Sequence, residues 1–339
     1  MIVFDNEVVR QDPTGLMDGS FDLIIVGASW DRRCRTLIAS TDLVTHSAVL
    51  IRYANTGVSG SSDASLEFLN SFVSPRTKNS VEILALDSAA MVDTWTEIRK
   101  AVVQTCGDLR RPMHIAVDLS SVPRYISMGL LGFGYKSGCA AQMTFWYSAA
   151  KDYRVLSDVA KSTGSSQFTV GSWLPQPIPV LSRPTSGSAP MHLLVSTGLE
   201  GSLTLGLVDD LEPARVQLVY STGNDSSLTN RVHRENAVLE DAYLIEDGDR
   251  VDWPLFDACG LAAEIVKGMD EKHFDQHGRL LEHSLLMCGP KTHALAFAVA
   301  ACQSDVKNVF FGLAENRREV TGDPVGPFYR CDLRMPLVG

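Results

Sequence analysis

Four short segments carry the residue types that hold small anions. Gly27-Ala28-Ser29-Trp30-Asp31-Arg32-Arg33 and Asp118-Leu119-Ser120-Ser121-Val122-Pro123-Arg124 lie in the first half of the chain. Ser196-Thr197-Gly198-Leu199-Glu200-Gly201-Ser202 and Cys288-Gly289-Pro290-Lys291-Thr292-His293 lie in the second. Small residues there leave backbone N–H groups open, hydroxyls add donors, and Arg32, Arg33, Arg124 and Lys291 add charge. A turn of this kind at a helix start suits a phosphate or carboxylate. The expected ligand contacts are Gly27, Ser29, Arg32, Arg33, Ser120, Ser121 and Arg124, with Ser196, Thr197, Gly289, Lys291, Thr292 and His293. Each residue alone also has a plainer reading. Ser120 or Ser121 caps a helix, the arginines pair with Asp31, and Lys291 points to solvent.

Catalytic chemistry is less well supplied. Asp118 is the candidate acid and Cys288 the candidate nucleophile, but no base stands near Cys288 in sequence. A buried strand-end thiol is the plainer account of Cys288, and Asp118 can accept N–H bonds from its own turn. Gly289-Pro290-Lys291-Thr292 resembles the end of a phosphate loop. It lacks the upstream glycine of G-x-x-x-x-G-K-[ST], and Pro290 stands where glycine would precede the lysine, so a Walker-type NTPase is not supported. Gly27-Ala28-Ser29 is not a G-x-G-x-x-G fingerprint, so no dinucleotide cofactor is expected. His273 and His277 are four apart, but Gly278 follows and no third ligand is near, so no metal is expected. His233-Arg234-Glu235-Asn236 reads as an exposed loop or helix start.

The elements that position these segments follow a repeating rhythm. Strand-length apolar runs are Phe21–Ala28, Ala48–Ala54, Val81–Asp87, His114–Leu119 and Gln142–Ser148. Helical spacing intervenes at Arg33–Ala39, Leu66–Phe72, Ala89–Cys106 and Arg124–Gly138, with Val92, Trp95, Ile98 and Val102 on one face of the third. Near-continuous apolar strands alternating with helices indicate a parallel sheet covered on both faces. Five prolines between Pro175 and Pro190 mark a connection. The pattern then restarts with strands Met191–Val195, Arg215–Tyr220, Asp241–Asp247, Ser284–Met287 and Val306–Ala314, and helices Asp252–Met269 and Thr292–Cys302. Asp22 to His192 and His114 to Ser284 are both offsets of 170, Tyr53 to Tyr220 is 167, and Val81 to Asp241 is 160. The expected fold is α/β: two Rossmann-like, doubly wound, mainly parallel sheets related by internal duplication. The expected division is residues 1–180, a linker at 181–190, and 191–339. With strand order 3-2-1-4-5, ligands bind outside the carboxyl ends of strands 1 and 4, where the four segments fall.

Composition narrows the setting. The 339 residues are 45% hydrophobic and 21% charged, enough to build two ordinary cores. A formal net charge of −10 disfavours bulk nucleic-acid binding, though not a small anion in a local basic pocket. Seven cysteines without a C-x-x-C pair fit a reducing compartment and no disulfide framework. The opening Met-Ile-Val-Phe-Asp-Asn-Glu has neither a basic nor a long apolar region, so no secretory leader is expected. No run of about 18 apolar residues suggests a membrane span. The expected location is the cytoplasm.

Two such units with polar turns after strands 1 and 4 resemble the CARF-type and SAVED-type sensors of prokaryotic antiviral systems. SAVED domains look like two fused CARF-like units, and in that family the same turns hold a cyclic oligonucleotide messenger. The resemblance rests on Gly27–Arg33, Asp118–Arg124, Ser196–Ser202 and Gly289–His293. It implies a ligand-sensing subunit that binds a nucleotide-type second messenger and acts through an effector protein or self-assembly. It departs from the family in showing no nuclease, helix-turn-helix or HEPN-like segment. The alternatives are a Rossmann-like enzyme acting on a nucleotide or another phosphorylated small molecule, and a scaffold subunit of a larger complex.

Overall fold

The computed structural model describes the chain except for residues 10–13, 17, 30, 32, 40, 54–58, 87–89, 151–152, 156–168, 184–188, 224–225, 318–319, 323–326 and 337–339. The chain divides into one unit of Met1–Leu156 with Glu319–Gly339, and a second of Ser157–Arg318. No helix among the described residues is long and apolar enough to cross a membrane.

The first unit contains β1 (Val3–Val9), β2 (Gly19–Ala28), α1 (Arg33–Ala39), β3 (Leu43–Tyr53), α2 (Ser59–Val73), β4 (Thr77–Leu86), α3 (Met91–Leu109), β5 (Met113–Asp118), α4 (Arg124–Ser137), β6 (Ala140–Ser148) and β7 (Tyr153–Val155). Late in the chain, β14 (Val320–Gly322) and β15 (Phe328–Arg334) return to it. The sheet order is β1-β15-β6-β5-β2-β3-β4. The five strands from β6 to β4 are parallel, which is the expected 3-2-1-4-5. The central strands are buried on both faces, as Leu23–Val26 and Ile115–Val117 show, so their sequence is continuously apolar rather than alternating. Edge strand β4 instead exposes Lys78 and Glu82, whose charges discourage further pairing. Helix α3 buries Trp95, Ile98, Ala101, Val102 and Thr105 at helical spacing and ends at Arg110 in the left-handed region, φ 52°. Val92, expected on that face, is 77% exposed.

The second unit begins with β8 (Thr169–Pro177) and continues through β9 (Met191–Ser196), α5 (Gly201–Leu211), β10 (Arg215–Thr222), α6 (Ser226–Tyr243), β11 (Arg250–Pro254), α7 (Ala258–Met269), β12 (Glu282–Met287), α8 (Lys291–Gln303) and β13 (Asn308–Arg317). Its order is β11-β10-β9-β12-β13-β8, with the first five parallel. This is again 3-2-1-4-5, and the repeated order is that of a duplicated Rossmann-like fold. One strand was misplaced by sequence. Asp241–Asp247 is not the third strand, because α6 runs to Tyr243 and the strand is Arg250–Pro254. The helical period was present in Val232, Asn236 and Leu239, which are buried. Likewise Asp252–Met269 is not all helix, since its first residues belong to β11.

Sheet register places the repeat more evenly than the sequence landmarks did. Leu23 pairs with Ser47 and Ile115, and Leu193 pairs with Val216 and Ser284. The offsets are therefore 170, 169 and 169 for the first, second and fourth strands. Leu50 pairs with Ile83 and Val219 with Val251, which gives 168 for the third. Tyr53 and Tyr220 are not equivalent positions.

The expected boundary at 181–190 also needs correction. Residues 184–188 lie outside the described residues, but β8, before them, already belongs to the second sheet. After its fifth strand each half sends a strand to the other half's sheet. β8 comes after β6 and the short β7 but pairs antiparallel with β13, while β15 comes after β13 and the short β14 but pairs antiparallel with β6. Composition cannot show this, because antiparallel edge pairing is fixed by distant partners.

All seven cysteines are free thiols, with Cys34, Cys139, Cys288 and Cys331 buried. Burial, followed by the charges of Asp118 and Asp31, pushes the Cys34 thiol up to about 11. Thiol titration should return seven groups in denaturant. In native protein Cys106, Cys259 and Cys302 should react first and the four buried thiols at least tenfold more slowly. A denatured count below seven in fresh protein would contradict this.

Candidate functional site

In the first unit, the ends of β2 and β5 are joined by a closed hydrogen-bond set. Asp118, at the end of β5, accepts from Ser120 N at 2.8 Å and from Ser121 Oγ at 2.5 Å. Ser121 Oγ in turn accepts from Gly27 N at 2.9 Å. Tyr53 Oη donates to the Ser121 carbonyl. Ser120 Oγ accepts from Ser148 N at 2.8 Å, tying the turn to β6. Gly27 has no room for a side chain, since a Cβ would stand 2.8 Å from the Ser121 carbonyl oxygen. Asp118, Ser120 and Ser121 are all buried. Asp118 thus accepts hydrogen bonds from its own turn.

Arg33 is also taken up internally. Its Nε donates to Asp31 at 2.7 Å, Nη2 pairs with the same carboxylate at 2.6 Å, and Nη1 donates to the Ser148 carbonyl at 3.2 Å. Asp31 also accepts from Arg33 N, and Ser29 Oγ accepts from Asp31 N at 3.1 Å. The expectation that Arg33 and Ser29 face a ligand is corrected: both are buried and build the turn that starts α1. Arg32 lies outside the described residues. Arg124, first residue of α4, is half-buried and follows Pro123, the N-cap, which provides no side-chain cap.

The second unit repeats the junction with different atoms. Cys288 N donates to the Ser196 carbonyl at 3.0 Å. A Cβ on Gly289 would stand 2.1 Å from Ser196 Oγ and 2.6 Å from the Thr197 carbonyl, so β9 and the turn after β12 meet without a gap. Thr197 Oγ1 donates to the Val219 carbonyl at 3.0 Å. Cys288 is buried in the apolar cluster with Val195 and Leu286. Thr292 and His293 turn away from the first strand. Thr292 Oγ1 donates to the Leu255 carbonyl at 2.5 Å, and His293 Nε2 lies 3.3 Å from the Pro254 carbonyl. His293 is fully buried, and burial pushes its pKa down to about 4, so it is a neutral core histidine. The expectation that Thr292 and His293 face a ligand is corrected on that ground: α8 is buried from Thr292 to Ala301. Lys291 remains half-buried at the helix start, again directly after a proline N-cap.

Sequence reasoning missed the side chains that anchor the first turn in each unit. Ser62 Oγ donates to the Ala28 carbonyl at 2.8 Å, and Asn236 Nδ2 donates to the Gly198 carbonyl at 2.7 Å. Both come from the second helix of their half, and the two carbonyls are 170 residues apart. Asn236 belongs to the segment expected to be an exposed loop or helix start, yet it is completely buried. The signal available was its place between Val232 and Leu239 on one helical stripe.

No protein-family model matches the chain, and no curated protein sequence does. Among solved structures, the cytoplasmic domain of a prokaryotic cation chloride cotransporter is similar at 11% identity and a TM-score of 0.25, covering 87% of this chain and 96% of that one. A putative universal stress protein from Pseudomonas aeruginosa UCBPP-PA14 is similar at 10% identity and a TM-score of 0.25, covering 86% and 92%. Similarities this distant say nothing of this chain's role, and the α/β assignment rests on its own strand order.

Proposed function

We propose that the chain is a cytoplasmic binding module that takes a nucleotide-type anion at the helix starts following β5 and β12. In this reading it is the ligand-sensing subunit of a prokaryotic antiviral system, acting through an effector protein or by self-assembly. The observation that carries the reading is a repeated one. Each unit places a proline N-cap and then a cation, Pro123-Arg124 and Pro290-Lys291, at the switch point of a 3-2-1-4-5 sheet. Neither helix has an acidic residue in its first turn. A cation there opposes the helix dipole by roughly 0.3–1 kcal/mol, and an anion lying between cation and helix reverses that sign. Binding is favoured over turnover because Asp118 is engaged in its turn and Cys288 is buried among apolar side chains. With the strand ends in contact, the ligand lies on the outer rim of the turns, beside the half-buried Arg124 and Lys291.

Mass spectrometry of small molecules released from purified protein names the ligand, and calorimetry with a panel of linear and cyclic oligonucleotides measures it. Arg124→Ala and Lys291→Ala should each weaken binding by about 1.5–3 kcal/mol, the range for charge-assisted hydrogen bonds. The melting temperature of the free protein should stay level or rise slightly. Parental affinity in both variants, or a large drop in melting temperature without ligand, means the two residues are structural.

A further inference from the structure

The second unit has a cavity toward the other end of its sheet, where β9 and β10 begin. It measures about 190 Å³ and lies between β9, β10 and β11 and helix α7. Its apolar lining includes Leu194, Val219 and Ile265, and its polar lining includes His192, Arg215 and His273 together with Gln217, Glu264 and Glu271. The helix on this face is shorter than its counterpart in the first unit. In the first unit α3 runs for 19 residues from Met91. Its counterpart α7 stops after 12, and the loop that follows brings in His273.

Comparison of the two halves isolates one atom. Asp22 and His192 occupy equivalent places, each one residue before the corresponding pairs, Leu23 with Ile115 and Leu193 with Ser284. Asp22 is fully satisfied: Arg111 donates to its two oxygens at 2.6 and 2.8 Å, and His114 N donates at 2.8 Å. His192 is not. Its tautomer follows from its neighbours, because a guanidinium only donates and a carbonyl only accepts. Arg215 Nη1 lies 2.7 Å from His273 Nδ1, so that nitrogen accepts. His283 Nε2 lies 3.3 Å from the Glu271 carbonyl and donates to it, leaving His283 Nδ1 as a lone pair. His192 Nδ1, 3.1 Å from His283 Nδ1, therefore carries the proton. His192 Nε2 is left as a lone pair on a ring that is 2% exposed, with no hydrogen-bond partner among the described residues. Burial, then His273, His283 and Arg215, push the His192 pKa down to about 3, which keeps that lone pair unprotonated at neutral pH. Burial lowers His273 and His283 as well.

We infer that this cavity is a binding site for a small neutral molecule with an apolar body and one hydroxyl or N–H group, which donates to His192 Nε2. The apolar walls accept the body, and the lone pair selects a donor. An anion gains little, because it would face that lone pair while Arg215 is already engaged by Asp249 at 2.7 Å and by His273. A metal is not the expected occupant: the Nδ1 of His273 and the Nε2 of His283 are both engaged, and no metal-type cluster of side chains is present among the described residues.

The test uses the 339-residue chain, treated with EDTA, and two isomeric probes of the same size, benzyl alcohol and its ether isomer anisole. Calorimetry should find the alcohol bound at least tenfold more tightly than the ether. Long-range ¹H–¹⁵N spectra should show the unprotonated His192 Nε2 resonance shifting with the alcohol alone. His192→Leu should abolish the preference. If that variant fails to fold, the wild-type ratio and the nitrogen shift still decide. Equal affinities, no binding of the alcohol, or a stoichiometric metal ion recovered with untreated protein would each overturn the assignment.

Discussion

Acidification from pH 7 to pH 4.5 should destabilise the second unit by on the order of 3–5 kcal/mol, with most of the loss below pH 6.5. Two buried histidines carry most of it, and His273 and His283, also lowered by burial, act in the same direction. His192 is pushed down to about 3 and His293 to about 4, in each case chiefly by burial. In the unfolded chain both titrate near the ordinary value of about 6.5. Between these limits the unfolded state binds protons that the native state refuses. Unfolding free energy therefore rises with pH through this window, and the contribution is whole above about pH 6.5. The depressed carboxyls Asp22, Asp275 and Asp305 act in the same direction, but only below their ordinary value of 3.8. Urea unfolding at a series of pH values measures the slope. In a His192→Gln, His293→Gln double variant the slope between pH 6.5 and 4.5 should flatten. An unchanged slope would show that other groups carry the acid sensitivity.

Gly201→Ala should destabilise the second unit by about 3 kcal/mol, the upper range for forcing atoms into a packed site. The residue opens α5, where a Cβ would stand 1.8 Å from the Glu235 carbonyl oxygen and 2.6 Å from its carbon. Those atoms are backbone in the middle of α6, so no side chain can rotate aside. The two helices would have to separate, and the Asn236 bond to the Gly198 carbonyl lies in the same junction. Gly206, five residues further along α5, supplies the control, since nothing stands within 4 Å of its Cβ position. Gly206→Ala should stabilise by about 0.5–1 kcal/mol through helix propensity alone. Opposite signs in thermal melts would support the packing argument. Equal effects from the two substitutions would refute it.

The central strands were legible because burial on both faces leaves a mark in the sequence. Phe21–Ala28 and His114–Leu119 are apolar runs bounded by turns, and their alternation with helices fixed the parallel order. Strands β1, β8 and β15 left no such mark, since an antiparallel edge depends on partners far away in sequence. Asp241–Asp247 was misread because the end of a helical stripe and a short strand look alike over seven residues. At the turns, the sequence located the segments that follow strands 1 and 4 but not the direction in which their side chains point. The pairing of Arg33 with Asp31 was one of two readings that proximity allowed. The inward turn of Thr292 and His293 depends on the Pro254–Leu255 carbonyls, nearly forty residues away. His192, His273 and His283 are spread over 91 residues and meet only once the sheet register is set.

The exchange of strands between the two sheets sets a timetable for synthesis. Ser148 closes β6, and Phe328 opens its partner 180 residues later. At 5–20 residues per second, β6 waits roughly 10–40 s on the ribosome with one edge unpaired. β8 is made within that interval and is the nearer strand in sequence, so a local hairpin with β6 competes with the distant native partner. Such an early pairing would have to come apart before β8 reaches β13. Elongation rate and chaperone supply, rather than equilibrium stability, should then decide how much of the nascent chain reaches the exchanged arrangement.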